Sequence, residues 1–306
     1  MSQAQGPTRS RLRRLTDLLD GGFMARLDAL DLASRKILKG HLKGERRSKR
    51  RGQSVEFADH RPYAHGDDIR FLDWNIYGRL DQLFLKLFLE EQDLSLHILF
   101  DASASMAEGR PPKALAAKRL AAALAYVGLV NNNRVSLAAF ADGVVGCVAN
   151  MRGRRHLAPM ADFLLGLQAQ GPSHFDKACR QWGAGRFGSG ITVVLSDFFF
   201  KEGLQAGLKR LVSDQYDLFV VQVLSPQERE PDLMGDLRLV DVEDADVAEV
   251  TVSAALVGSY KRNLAAYCHM LKDFCTRRGA TYVLTDSAQP VERLVLEHLR
   301  RYRLLG

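Results

Sequence analysis

Three stretches of the chain carry oxygen-bearing side chains at spacings that suit a hard cation. Asp101-Ala102-Ser103-Ala104-Ser105-Met106 sets a carboxylate and two hydroxyls two residues apart, so a loop leaving a strand can turn all three toward one point. Ser196-Asp197 closes an apolar run with a second carboxylate, and Gly171-Pro172-Ser173-His174-Phe175 adds a hydroxyl ahead of a helical pattern. No cysteine and no obligatory histidine is among them, and an oxygen-only set selects Mg2+ or Mn2+. A strand-end aspartate taken singly is as readily a helix cap. The hydroxyls in register with Asp101 favour the metal.

The elements that must hold these residues follow from periodicity. Residues 94–100 alternate and then turn apolar before Asp101, and 191–195 form a continuous β-branched run before Ser196. Helical patterns cover 112–131, where Pro111 and Pro112 suit a first turn, then 156–167, 202–212, 255–278 and the stretch after Pro290. Strand patterns cover 134–140, 144–150, 217–224 and 281–285. Asp142-Gly143 is a hairpin signal, and 237–252 reads as a second hairpin. Strands alternating with helices predict a mostly parallel sheet covered on both faces. Ligands of such sheets bind beyond the C-terminal strand ends, where Asp101 and Asp197 fall.

Upstream, residues 14–39 carry leucines at three- and four-residue steps, predicting one or two amphipathic helices broken near Gly21-Gly22. Residues 52–93 are dense in charge and aromatic rings and read as loops and short elements. The expected organisation is a basic helical N-terminal segment at 1–51, a charged and aromatic segment at 52–93, and an α/β domain at 94–306.

The 306 residues are 46% hydrophobic and 26% charged, which excludes a disordered or collagen-like chain. The longest uncharged apolar run, 120–130, is short of the roughly 18 to 20 residues a membrane span needs. The arginine-rich start lacks the apolar stretch and cleavage site of a secretory signal. Cys147, Cys179, Cys268 and Cys275 form no CxxC pair, which predicts buried thiols in a reducing compartment, and the expected location is the cytoplasm. Residues 1–51 hold 14 Lys and Arg against 5 Asp and Glu, and the remainder 29 against 31. A basic run centred on Arg46, Arg47, Lys49, Arg50 and Arg51 suits nucleic acid or anionic lipid, but reads first as a solvated arm. The GxGxxG of residues 183–188 precedes a strand and so lacks the dinucleotide-binding context.

Asp-Ala-Ser-Ala-Ser followed by Met resembles the DxSxS motif of the von Willebrand factor A domain. The metal-ion-dependent adhesion site of that family joins DxSxS to a Thr of a second loop and an Asp of a third. Asp101, Ser103 and Ser105 match the first loop and Asp197 the third. SHFDKA resembles the family's TDLxxA and puts Ser173 at the Thr position. Serine keeps the ligand oxygen but lacks the methyl group that limits its rotamers.

The upstream stretch EFADHRPYAHGDDIRFLDWNIYGR, followed by a Glu and then DxSxSM, resembles the signature of domain-of-unknown-function family 58. The resemblance covers residues 40–224 and extends to the rest by topology. It implies a von Willebrand factor A-like, Rossmann-type sheet, mostly parallel and flanked by helices, with an N-terminal helical or irregular extension. It also implies a MoxR-type AAA+ ATPase as partner and a client protein. Many relatives carry N-terminal membrane helices; none is expected from this sequence, so it resembles the soluble branch. Glu56, Arg61, Tyr63, Asp67, Asp68, Arg70, Asp73 and Trp74 of the signature have two readings. In one, Asp67, Asp68 and Asp73 hold Arg61, Arg70 and Arg79 as an ion-pair frame over Tyr63, Phe71 and Trp74. In the other, the same box is a docking surface.

Mg2+ prefers six octahedral oxygens. The resemblance implies that both aspartates act partly through water, which leaves a sixth position to a partner's carboxylate. The expected function is a non-enzymatic, Mg2+- or Mn2+-dependent protein-interaction adaptor without catalytic residues. One alternative is a Mg2+-dependent phosphoryl hydrolase with Asp101 as nucleophile. Ser103, however, stands where such enzymes place a second acid, and no base is evident. The other is nucleic-acid binding through residues 9–51, which predicts steep salt dependence.

Overall fold

The chain divides into two compact units, one of Met1–Lys39 with Leu94–Gly306 and one of Gly40–Asp93. The structure, a computed structural model, describes residues 14–34, 56–89, 94–183, 190–213, 216–302 and 304–306. In chain order the elements are α1 (Leu15–Leu18), α2 (Gly21–Leu27), β1 (Glu56–Pro62), α3 (Trp74–Leu80), β2 (Phe84–Leu89), β3 (Ser95–Asp101), α4 (Lys113–Val130), β4 (Arg134–Ala141), β5 (Gly143–Met151) and α5 (Leu157–Gly166). They continue with α6 (Phe175–Gly183), β6 (Gly190–Ser196), α7 (Leu204–Leu211), β7 (Tyr216–Leu224), α8 (Pro226–Arg229), β8 (Gly235–Val240), β9 (Val247–Val252), α9 (Ala254–Thr276), β10 (Thr281–Asp286) and α10 (Val291–Arg293).

Six strands of the larger unit form one sheet in the order β10-β7-β6-β3-β4-β5. All pairs are parallel except β4 with β5, which returns antiparallel across Asp142-Gly143 as the hairpin signal predicts. β3, β6 and β7 are buried along their whole length, as strands covered on both faces must be. Their side chains alternate between two cores. Leu96, Ile98 and Phe100 face α4, α5 and the chain termini, whereas Leu99 faces α6, α7 and α9.

α4 is the central helix. Its run of alanines and leucines is buried on almost every side. Gly128 lets it press against β4, since a Cβ there would lie 2.7 Å from Val135 Cγ2. The predicted helix after Pro290 is a single α-turn continued by a π-helical stretch at Leu294–Leu299.

Of the helical N-terminal segment expected at 1–51, residues 14–34 are described. Leu19, Phe23, Leu27, Leu30 and Leu32 belong to the α4 core. Polar contacts tie the same stretch down: Tyr126 Oη donates to Asp28 at 3.0 Å, Asn131 Nδ2 to the Leu30 carbonyl at 2.6 Å, and Ser34 Oγ to Asp217 at 2.8 Å. The leucine spacing marked an amphipathic stretch but not which core it would fill. Gly21 and Gly22 open α2 rather than ending a helix, because Asp20 accepts from Phe23 N at 2.8 Å and caps it. All four cysteines are free. Cys179 and Cys275 are buried and Cys268 half-buried, but Cys147 is exposed on the edge strand, against the expectation of buried thiols. Among the described residues no helix is long and apolar enough to cross a membrane.

Candidate metal centre

β3 and β6 are neighbours, paired to Phe100 opposite Leu195, so their ends deliver Asp101 and Ser196-Asp197 side by side. Beyond β3 the chain folds back on itself. Asp101 Oδ1 accepts from Ser103 N at 2.9 Å and from Ser103 Oγ at 2.7 Å, and Ser103 Oγ lies 3.1 Å from Ser105 Oγ. The alternating Asp-Ser-Ser spacing therefore does converge. Ser196 Oγ donates to Asp101 Oδ2 at 2.6 Å, and Ser196 Oγ in turn accepts from Phe198 N at 2.8 Å. Two backbone bonds, Ala104 N to the Gly171 carbonyl at 2.9 Å and Gln170 N to the Ala102 carbonyl at 2.8 Å, bring the Ser173 loop alongside.

Asp101, Ser103 and Asp197 are fully buried. Burial, and then repulsion from the Asp197 charge, push the Asp101 carboxyl up to about 7, against the pull of its Ser196 and Ser103 hydrogen bonds. The loop after Asp197 is held by rings. Phe198 takes φ 60°, unusual for a bulky residue, and Phe200 stacks on Phe175 with centroids 4.8 Å apart. Gln222 Nε2 adds a bond to the Asp197 carbonyl at 2.7 Å.

Sequence reasoning missed the cation of this cluster. Lys113, the first residue of α4, is buried, and its ammonium lies 2.6 Å from Asp197 Oδ2 and also pairs with Glu228. Burial pulls its pKa down, but Asp197 and then Glu228 outweigh that and leave it raised. Glu228 is itself locked by a capping box, accepting from Ser225 N at 2.7 Å while Ser225 Oγ accepts from Glu228 N at 3.2 Å. A signal existed: a lysine in the first turn of an apolar helix opposes the helix dipole and calls for an acid.

The donor set fits a hard cation. Both carboxylates are engaged by donors of the protein, whereas Ser173 Oγ is buried with no hydrogen-bond partner among the described residues. Among the described residues no group of three or more His, Cys, Asp or Glu side chains is placed to hold a metal ion, so any site here rests on hydroxyls beside its carboxylates.

The smaller unit carries the signature box. β1 and β2 pair antiparallel, with Pro62 opposite Phe84, and Glu56 opens β1 opposite Leu89. Arg61 and Asp67 form a two-bond pair at 2.8 and 2.7 Å, and Arg70 chelates Asp68, with 2.6 Å at its shortest contact. Asp73 departs from the expected frame. It caps α3 through Asn75 N and bonds His60 Nε2 at 2.9 Å, and Arg79 enters no ion pair among the described residues. The rings also depart from it. Tyr63 is half-buried, but Phe71 and Trp74 are exposed, Trp74 by 63%, beside exposed Ile69, Tyr77 and Leu80. α3 buries none of its own residues; Leu72 ahead of it and Leu85 on β2 are the buried apolar side chains among the described residues of this unit, which leaves the rings outside. The basic run at 46–51 and the GxGxxG at 183–188 lie outside the described residues, except for Gly183 at the end of α6.

A mostly parallel sheet with one antiparallel edge, helices on both faces and a DxSxS turn at the end of its central strand defines a von Willebrand factor A-like α/β protein. The chain belongs to the family described as protein of unknown function DUF58, whose model matches residues 59–270. Similar curated proteins include the uncharacterized proteins Rv1480 of Mycobacterium tuberculosis and Mb1516 of Mycobacterium bovis. Each is 26% identical over 260 residues, covering 82% of this chain and 80% of the relative. Similar solved structures include the conserved hypothetical protein BatB from Bacteroides thetaiotaomicron, with 14% identity, a TM-score of 0.42, and coverage of 68% of this chain and 98% of that one. The VWA domain of SpRpn10 is another, with 14% identity, a TM-score of 0.40, and coverage of 66% and 93%.

Proposed function

We propose that this protein is a metal-dependent interaction adaptor. Its centre holds Mg2+ or Mn2+ on the hydroxyls of Ser103, Ser105 and Ser173, with Asp101 and Asp197 behind them, and the bound ion captures an acidic side chain of a partner protein. The observation that carries this reading is the pair of Asp101-bonded and Ser103-bonded hydroxyls in a turn whose backbone is bonded to a second loop, where Ser173 Oγ is buried with no partner among the described residues. Neutral hydroxyls leave a bound dication under-compensated, which is what gives an incoming carboxylate a charge-assisted bond. The partners we propose are a MoxR-type AAA+ ATPase and a client under maturation or assembly, in the cytoplasm, as the resemblance read in the sequence implies.

The hydrolase reading gains no support from the geometry. Asp101 is fully buried and both its carboxylate oxygens are engaged, so neither is presented as a nucleophile.

Calorimetric titration of Mg2+ and Mn2+ into the wild type and Asp101→Ala, then with a candidate ATPase in the presence and absence of EDTA, tests the proposal. Metal binding lost in the variant together with partner binding supports it. A folded Asp101→Ala that binds the partner as tightly as wild type sinks it.

A further inference from the structure

β8 and β9 form a sheet of their own, and most of their side chains are exposed. An isolated two-stranded ribbon is marginal in water, so its anchorage decides where it rests. Its tip, Asp241-Val242-Glu243-Asp244-Ala245-Asp246, carries four carboxylates. Loops of the candidate centre hold that tip. Glu243 Oε2 accepts from Ser173 N at 3.0 Å, and Lys201, in the loop after Asp197, pairs with Asp241 at 3.0 Å and with Asp244 at 2.5 Å. The turn is also shaped from within. Asp241 Oδ1 accepts from Glu243 N at 2.8 Å, Asp244 Oδ1 accepts from Asp246 N at 3.2 Å, and Ala245 takes φ 62°.

The tip therefore rests against the Ser173 loop by a carboxylate on the backbone of the very residue whose hydroxyl is buried without a partner. Lys201 balances Asp241 and Asp244, while Glu243 has no cation among the described residues. Lys113 compensates Asp197, but neither Asp101 nor Glu243 has an ion-pair cation among the described residues, so a carboxylate brought to this end of the sheet adds negative charge that a cation would relieve.

We propose that Glu243 is the chain's own acidic ligand of the candidate centre, presented by the β8–β9 tip in the place a partner's carboxylate takes. This rests on the metal reading above. A dication on the serine hydroxyls supplies the charge that Glu243 lacks, so ion and tip strengthen each other's hold, and the coupling is reciprocal. A partner's acid then binds by displacing the tip.

Calorimetry and hydrogen exchange on the full chain with Mg2+ alone test this. In wild type, Mg2+ raises the protection of residues 241–246. Glu243→Gln keeps an acceptor for the Ser173 N–H and loses the charge; it binds Mg2+ about tenfold more weakly, and its tip gains no protection. Its melting temperature in EDTA, matching wild type, shows the fold intact. Lys201→Met frees the tip without touching a ligand hydroxyl and weakens Mg2+ binding in the same direction. Acetate in large excess, as a bare carboxylate, lowers the protection of the Mg2+-loaded wild-type tip, and protection unmoved by it overturns the displacement step. Wild type that binds Mg2+, with Glu243→Gln equal to it in affinity and exchange, overturns the inference and leaves the metal reading standing. Wild type that binds neither Mg2+ nor Mn2+ removes both.

Discussion

Lys113 Nζ stands 2.6 Å from Asp197 Oδ2, buried with it, and holds Glu228 on its other side. The ammonium thus gives the cluster a permanent cation alongside any ion its hydroxyls bind. Shared between two acids, it can keep Glu228 while Asp197 turns its charge to a dication.

Removing that cation leaves a buried carboxylate unpaired, a loss of about 3 to 5 kcal/mol. Lys113→Met is therefore expected to melt several degrees below wild type in EDTA. A dication can stand in for the lost ammonium, so Mg2+ raises the melting temperature of the variant more than that of wild type. Thermal melts with and without Mg2+ read both effects, and an equal Mg2+ response in the two proteins speaks against the shared-cation account.

The raised Asp101 pKa sets a pH dependence. A carboxyl whose folded pKa exceeds its unfolded one binds its proton more tightly in the fold, so its contribution to stability is complete below about pH 4 and is lost as pH rises through about 7. Metal-free protein is expected to lose melting temperature across that window. Asp101→Asn, which carries no such charge, flattens the loss, and Mg2+ offsets it in wild type by favouring the ionised form. Melts as a function of pH decide it; the same slope in Asp101→Asn assigns the loss elsewhere.

Ser173→Thr restores a methyl group that limits the rotamers of the hydroxyl. Calorimetry is expected to show Mg2+ bound several-fold more tightly, because less freedom is lost on binding. Unchanged or weaker binding takes Ser173 out of the ligand set.

The exposed rings of the smaller unit separate packing from docking. Trp74→Ala removes a side chain that is 63% exposed and meets Tyr77 edge-on at 6.1 Å, so its cost in stability is expected to be small, within about 1 kcal/mol. A partner that docks on this face loses affinity by tenfold or more, as an aromatic anchor does. Asp67→Asn, which breaks the Arg61 pair, is expected to do the reverse, with lower stability and little change in binding. Denaturant titration beside a binding assay with the candidate ATPase distinguishes them.

Gly109 precedes Arg110 in the loop beyond Ser105, with φ 97°, and a Cβ there would lie 2.6 Å from Ser225 Cβ. Gly109→Ala is expected to be destabilised by both strain and collision. Wild-type melting behaviour in that variant shows that the loop shifts at no cost.

Local chemistry was legible in the residues. Asp101, Ser103 and Ser105 share one turn, so spacing alone predicts their convergence, and near-continuous apolar runs mark β3, β6 and β7 as strands covered on both faces. The parallel sheet follows from alternating strand and helix patterns, and the rule for such sheets points to strand ends, where Asp101 and Asp197 lie. The residues leave open whether Phe71 and Trp74 form a buried floor or an exposed face, because that depends on what packs over them; the structure exposes both.

By itself, then, the sequence determined the elements and the short-range turn of hydroxyls around Asp101, because those depend on neighbours a few residues apart. Tertiary structure alone decided the rest of the centre. Lys113 meets Asp197 across 84 residues and Glu228 across 115, and Glu243 reaches Ser173 across 70. No periodicity encodes such meetings. They arise from strand order, which sets which loops share one end of the sheet, and from burial, which forces each charge brought there to find its opposite.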